Sequence, residues 1–221
     1  MKRQPFRLLL RWGLITTSLA ALLFLAAGTT HLPSIRSYLV IFSSLLLTTM
    51  LTVDPHLAKE RARPEATGID DGLRVAAGLL FLLTLTLAAL FVGRVRFGFD
   101  MPIPLREAGL VAVALSGSLQ TWAMVVNPFF SPVVRIQTER GHRVITDGPY
   151  RFLRHPGYFA MLIFVPASAL AIGSWIALAP AVAFVLLVQR RAELEDEFLK
   201  KNLPGYADYA RRVPARLTPT R

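Results

Sequence analysis

Long apolar runs restrict this chain more strongly than any other feature, because each is close in length to a bilayer crossing. A single helical crossing needs about 20 mostly apolar residues. With 53% hydrophobic residues and 18% charged residues, which cluster between the runs, the composition is typical of a polytopic membrane protein. The predicted spans are residues 8–27, 37–53, 73–93 and 106–126, followed by a longer run at 158–189.

The run at 158–189 is too long for one comfortable crossing. Gly173 and Ser174 near its middle are a turn signal, so we interpret the run as two helices paired in a hairpin. The expected fold is therefore all-α, a membrane bundle of about six transmembrane helices. The run at 8–27 also has features of a signal peptide, but its length and the closeness of the next run favour a span.

The basic residues predict an orientation for these helices. If the N-terminus is cytoplasmic, 21 of the 25 Lys and Arg residues lie on the cytoplasmic side. The exceptions are Arg36, Arg94, Arg96 and Arg106. The positive-inside rule then predicts two cytoplasmic termini, and the net charge of +11 reflects contact with anionic lipid rather than nucleic acid. Together with the absence of cysteine, this topology is typical of a bacterial inner membrane protein.

Three polar segments fall on the predicted cytoplasmic side, at residues 54–65, 135–158 and 191–219. No loop on the other side is comparable in length. We expect the three segments to form a folded cap over the bundle, and any chemistry to take place at this interface. Disulfides and cysteine nucleophiles are excluded, and the four histidines show no metal-binding spacing, so no metal site is predicted.

The stretch GPYRFLRHPGY at 148–158 is the most unusual of the polar sequences. His155 precedes a proline that suits the first turn of a helix, so it is expected at a helix N-terminus, where free N–H groups favour an anion. Arg151 and Arg154 would strengthen this preference, and Tyr150 and Tyr158 offer aromatic faces. The competing interpretation is a lipid anchor, in which the arginines contact phosphates and the tyrosines lie in the interfacial belt.

Acidic residues follow the last apolar run. Arg191 and Glu195 are four residues apart on one helix face, either as a solvated ion pair or as part of a site, with Asp196 beside them. A short hairpin returns both of its ends to one side of the membrane, so these acids should lie near His155. A nucleotide or S-adenosylmethionine would match such a mixture of basic, aromatic and acidic groups. The chain lacks both GxGxxG and GxxxxGK[ST], which excludes Rossmann and P-loop binding.

Residues 127–219 resemble the isoprenylcysteine carboxyl methyltransferase and phospholipid methyltransferase family of integral membrane enzymes. The resemblance lies in GPYRFLRHPGY, a helical hairpin, RAELEDEF and LPGYADYARRVPARLTP, and there is a weaker similarity in DPHLAKERARP. The acidic pair is Glu-Asp, where the family more often has Glu-Glu. The matching residues are Gly148, Pro149, Tyr150, Arg154, His155, Pro156, Tyr158, Glu195, Asp196, Tyr206, Tyr209, Arg216 and Pro219.

The resemblance implies S-adenosylmethionine as cofactor and a lipophilic acceptor that enters from the lipid. It implies catalytic roles for His155, Glu195 and Arg154. It divides the chain into a four-helix membrane region, 1–126, and a methyltransferase core, 127–221. The alternative function is a lipid-binding or transport protein that retains the scaffold without catalysis. The residues implied in cofactor binding are Gly148, Pro149, Tyr150, His155, Pro156, Tyr158, Glu195, Asp196 and Tyr206.

Overall fold

The protein is described by a computed structural model that covers residues 5–62, 70–95 and 100–218. Within these ranges the chain is helical and contains no β-strand, which confirms the all-α prediction. The helices are α1 (Pro5–Ala27), α2 (Pro33–Thr52), α3 (Pro55–Ala62), α4 (Asp71–Leu90), α5 (Ile103–Val126), α6 (Pro156–Ile172), α7 (Leu178–Asn202) and α8 (Tyr206–Arg212).

Four helices are long and apolar enough to cross a membrane, judged by length and composition: α1, α2, α4 with the π-turn that extends it to Val95, and α5. They coincide with the four spans predicted before residue 127. Helix α6 is a shorter apolar helix. The first half of α7 is also apolar, whereas its second half carries the acidic residues. A bundle of about six membrane helices is therefore consistent with the structure.

The predicted hairpin is formed by α6 and α7. Helix α6 ends at Ile172, and Gly173 takes the left-handed conformation, with φ of 108°, that makes the turn. Close packing holds this hairpin against α5, because a Cβ atom on Gly109 would lie 2.6 Å from the backbone nitrogen of Ala171. Pro166 lies inside α6, while Pro180 lies in the first turn of α7, where its missing N–H is not needed.

The predicted cap forms at one end of the bundle from α3, the segment between α5 and α6, the polar half of α7, and α8. Two contacts show how its parts are joined. Buried Glu60 of α3 accepts hydrogen bonds from Ser131 (3.0 Å) and Arg135 (3.2 Å). An apolar cluster joins the end of α7 to α8: Leu199, Leu203, Tyr206 and Tyr209.

Candidate active site

A cavity of about 780 Å³ extends from the polar cap down between the apolar helices. Its volume lies within the range of small-molecule and cofactor sites. The cavity therefore joins a charged end to an apolar end. Lining residues at the cap include Arg61, His155, Tyr158, Arg191, Glu195 and Tyr206, and those between the helices include Phe42, Leu45, Met50, Phe81, Val165 and Phe184.

His155 lies immediately before α6, as predicted, but its ring is buried rather than interfacial, with 6% of the residue exposed. Its Nε2 atom is 3.3 Å from Oδ1 of Asp196 and 3.2 Å from the hydroxyl of Tyr206. That hydroxyl donates to the same Oδ1 at 3.0 Å. A proton on Nε2 satisfies the carboxylate, whereas an unprotonated Nε2 would place two acceptors in contact. The network therefore engages Nε2 and leaves Nδ1 outside these contacts.

Asp196 is the centre of this buried network and does not line the cavity. Besides His155 and Tyr206, it binds Arg154 through both oxygens, at 2.8 and 3.1 Å, and Lys200 at 2.6 Å. Burial alone would raise the pKa of the Asp196 carboxyl, but hydrogen bonds from His155, Arg154 and Lys200 outweigh it and lower the pKa. The geometry does not support the predicted contact between Asp196 and the cofactor, because its oxygens are occupied by protein groups.

Arg154 lines the cavity, but its donor atoms bind protein groups. The predicted role was catalytic, with the guanidinium free to attract an anion. Its Nε and Nη2 atoms bind Asp196, and Nη1 donates to the carbonyls of Val213 and Pro214 at 2.8 and 2.7 Å. Arg154 therefore joins α7 to the C-terminal segment, and we assign it a positioning role. Arg151 is exposed and lies 3.7 Å from Asp147.

Gly148, Pro149 and Pro156 do not line the cavity, and their contacts with a cofactor stay a prediction. They shape the chain around it instead. Gly148 has φ of 55° and starts a 3₁₀ turn that includes Pro149, while Pro156 occupies the first position of α6. Tyr150 does line the cavity, but its hydroxyl is engaged by Asn127 at 3.1 Å.

The C-terminal segment closes the site from the outside. The backbone N–H groups of Arg154 and His155 donate to the carbonyls of Ala215 and Arg216, at 3.0 and 3.1 Å. The hydroxyl of Tyr209 donates to the carbonyl of Tyr150 at 2.7 Å. The family-like C-terminal residues thus hold the GPYRFLRHPGY stretch in place. Pro219 lies outside the described residues.

Tyr158 and Glu195 form the polar pair that faces the cavity. The Tyr158 hydroxyl donates to Oε2 of Glu195 at 2.6 Å. The guanidinium of Arg191 lies over the Tyr158 ring, 5.6 Å from its centre. Among the described residues that line the cavity, Glu195 is the only carboxylate. It is therefore the group at this site best placed to meet a cation or a sugar hydroxyl.

An ion pair between Arg191 and Glu195 was one of the two interpretations of the sequence, but Arg191 instead pairs with Asp70, a partner that sequence reasoning missed. Arg191 donates through Nε to Oδ2 of Asp70 at 2.7 Å and through Nη2 to the carbonyl of Pro132 at 3.0 Å. Asp70 also accepts the N–H of Val134 at 3.0 Å. These partners are 121 positions apart, and no local pattern indicates such a pair. The one sequence feature that could have indicated this pair is the acidic residues at the start of the apolar run that forms α4.

The fold and the site together define an α-helical integral membrane protein with a ligand-sized cavity under a polar cap. Residues 109–201 match the model of the isoprenylcysteine carboxyl methyltransferase (ICMT) family, so the family resemblance found in the sequence is confirmed. A solved structure of the eukaryotic intramembrane Ras methyltransferase ICMT superposes with a TM-score of 0.57 at 16% identity, covering 93% of this chain and 74% of that one. At this identity the match supports the fold alone.

Two curated relatives with different names are similar to parts of this chain. Protein-S-isoprenylcysteine O-methyltransferase B of Arabidopsis thaliana is 30% identical over 113 residues, 48% of this chain and 56% of the relative. The cobalt-zinc-cadmium resistance protein CzcN of Cupriavidus metallidurans is 29% identical over 136 residues, 61% and 59% of the two chains. The matches thus span little more than half the length of these relatives.

Among the described residues, no group of three or more His, Cys, Asp or Glu side chains could hold a metal ion.

Proposed function

We propose that this protein is an integral membrane methyltransferase that uses S-adenosylmethionine and a lipophilic acceptor. The observation that carries the proposal is that one cavity joins the Tyr158–Glu195 pair at the cap to apolar side chains between the helices. A water-soluble cofactor and a lipid-like acceptor could meet there without either leaving its own phase. The family match at residues 109–201 supports the same activity.

The residues present suit the cofactor. S-adenosylmethionine carries a sulfonium and an ammonium group, whose positive charges favour contact with the carboxylate of Glu195. Its ribose hydroxyls can donate hydrogen bonds to the same carboxylate. The rings of Tyr158 and Tyr206 line the cavity and offer faces for the adenine or the sulfonium. We propose these three residues, together with His155, as the cofactor-binding set. Tyr150 contributes to the wall behind them.

When bound, the cofactor supplies a methyl group that is already activated by the sulfonium. The protein then needs mainly to hold the two reactants in line and to exclude water. The buried network of Asp196, Arg154 and Tyr206 keeps His155 in one orientation, with Nδ1 remaining for a reactant. Glu195 would offset the positive charge of the bound cofactor at the cap end of the cavity.

The acceptor class follows from what the site must do to it. A carboxylate attacks without losing a proton, so it needs only positioning. An amine or a thiol must first lose a proton, and then Glu195 or Nδ1 of His155 would be the base. The apolar lining from α2, α4 and α5 implies an acceptor with a hydrocarbon part. Because these helices lie within 1–126, we propose that both predicted regions, 1–126 and 127–221, are needed for the site.

We place the site at the cytoplasmic side, with both termini cytoplasmic and the protein in a bacterial inner membrane. The support is the distribution of Lys and Arg, 21 of 25 of which occur in the segments that this orientation places inside. A reporter that is active only in the periplasm, fused after Arg221, should be silent. Strong reporter activity would contradict this orientation.

The function is tested by incubating the detergent-purified chain with methyl-labelled S-adenosylmethionine and a fractionated membrane extract. We expect label to appear in one lipophilic product, and not when S-adenosylhomocysteine is present in excess. Identifying that product separates carboxylate, amine and thiol acceptors. If calorimetry shows no cofactor binding and no product is labelled, the non-catalytic lipid-binding or transport function replaces this proposal.

A further inference from the structure

Arg61 differs from the other buried or half-buried arginines around the cavity in its partners. Arg135, Arg154 and Arg191 form ion pairs with Glu60, Asp196 and Asp70. Arg61 lines the same cavity but forms no ion pair with any carboxylate of the described residues. Its sequence neighbour Glu60 is buried on another face of α3, where it binds Ser131 and Arg135. The charge of Arg61 is therefore uncompensated within the described part of the cavity.

The guanidinium of Arg61 is nevertheless held in a fixed place. Its Nη1 atom donates to the carbonyl of Phe130 at 3.3 Å, and its Cζ atom lies 5.3 Å from the centre of the Phe130 ring. That ring in turn packs on Gly157, where a Cβ atom would come within 2.4 Å of two ring carbons. Because Gly157 has no side chain, the Phe130 ring can pack against the start of α6. Phe130 in turn holds Arg61 close to that point.

Electrostatics sets this position apart as well. Burial lowers the pKa of the Arg61 guanidinium, and the nearby charge of Arg191 lowers it further. An arginine nevertheless stays protonated in proteins, so the positive charges of Arg61 and Arg191 repel each other across the cavity. Asp70 offsets one of them. A half-buried cation without a carboxylate is costly unless a ligand supplies the negative charge.

We propose that Arg61 is an anion-binding residue that receives the carboxylate of one of the two reactants. This inference rests on the proposed function. The carboxylate belongs either to the methionyl end of S-adenosylmethionine or to the head group of the acceptor. A guanidinium suits either source, because its planar fork matches the two oxygens of a carboxylate. Glu195 and Arg61 then give the cavity one negative and one positive contact for a ligand.

The test compares acidic probes with neutral analogues on the full-length purified chain. The first pair is S-adenosylhomocysteine and 5′-methylthioadenosine, which lacks the amino acid end, titrated by calorimetry. The second pair is 11-dansylaminoundecanoic acid and its methyl ester, followed by fluorescence. The variant is Arg61→Gln, and the matched control is Arg211→Gln, which removes one positive charge from an exposed ion pair on α8.

We expect Arg61→Gln to weaken binding of one acid by about tenfold or more, as loss of a charge-assisted hydrogen bond should. Its neutral analogue should bind as before. Loss confined to S-adenosylhomocysteine identifies the cofactor as the source, and loss confined to the dansylated acid identifies the acceptor. If Arg61→Gln does not fold, Arg61→Lys replaces it and should lose several-fold affinity, because lysine lacks the planar fork.

The proposal is overturned if both acids bind the folded Arg61 variant as tightly as they bind Arg211→Gln. It is also overturned if the wild-type chain prefers neither acid to its neutral analogue. Failure of the methyltransferase proposal looks different. In that case wild-type protein binds neither S-adenosylhomocysteine nor methylthioadenosine, while selective, Arg61-dependent binding of the dansylated acid would still support the anion site.

Discussion

Glu195 and Asp196 are neighbours in the chain, yet their carboxylates belong to two different walls of the site. Asp196 belongs to the motif wall, in which polar groups of Arg154, Tyr209 and residues 213–216 bind other protein groups. Arg154 and Tyr209 also line the cavity, whereas Asp196 does not. Glu195 belongs to the cavity wall, with Arg61, Tyr158 and Arg191. The contrast shows that a residue that matches the family, such as Asp196, can hold the site together without lining the cavity.

The largest expected effect is on stability and concerns the motif wall. Asp196→Asn leaves the buried guanidinium of Arg154 without its counter-charge, which should cost about 3–5 kcal/mol. Thermal unfolding of the detergent-purified chain should show a large fall in Tm. Glu197→Gln, at an exposed neighbouring position, is the control and should leave Tm nearly unchanged. Equal Tm values for the two variants would remove the distinction between the walls.

The next effect concerns activity and the cavity wall. Glu195→Gln should lower methyl transfer to the membrane extract by one to two decades, about 1.5–3 kcal/mol, because a charge-assisted contact with the cofactor is lost. Its Tm should change little. Glu193 lies two residues earlier, about 200° around the helix, and forms half-exposed pairs with Arg190 and Arg216. Glu193→Gln should cost under about 1 kcal/mol, and equally strong effects at both positions would defeat the assignment.

A smaller effect separates two tyrosines, one in each wall. Tyr158→Phe removes the hydroxyl that donates to Glu195 and should weaken S-adenosylhomocysteine binding by about fivefold, or about 1 kcal/mol. Tyr209→Phe removes a hydrogen bond to the carbonyl of Tyr150 and should lower Tm instead. The account is in error if the two substitutions exchange these effects in calorimetry and thermal unfolding.

The smallest effect is a pH dependence. The pKa of Asp196 is lowered in the fold from an ordinary value of about 3.9. Its stabilising contribution is therefore complete above that value and is lost as the pH falls toward the folded pKa, amounting to about 0.3 kcal/mol between pH 5 and pH 4. The acid decline in Tm should be shallower in Asp196→Asn than in Glu197→Gln. A steeper decline in Asp196→Asn would contradict the prediction that the lowered pKa of Asp196 stabilises the fold.

Local patterns predicted the helices well, because apolar length and a Gly-Ser turn act over short distances. The spans and the hairpin ending at Gly173 needed no knowledge of tertiary contacts. The site was harder. The sequence placed His155 and Glu195 near each other, but it could not show that Asp70 would take Arg191 from Glu195. Such pairs depend on how distant segments pack. The same packing decides which of two adjacent carboxylates is buried, and local sequence does not show it.

The measurement that tests the central claim most directly is photo-crosslinking of methyl-labelled S-adenosylmethionine to the purified chain, followed by peptide mapping. The account predicts label in peptides that contain cavity-lining residues of the cap, from residues 130–158 or 187–209, and its loss with excess S-adenosylhomocysteine. No specific label, or label confined to the helix ends farthest from the cap, would contradict the account.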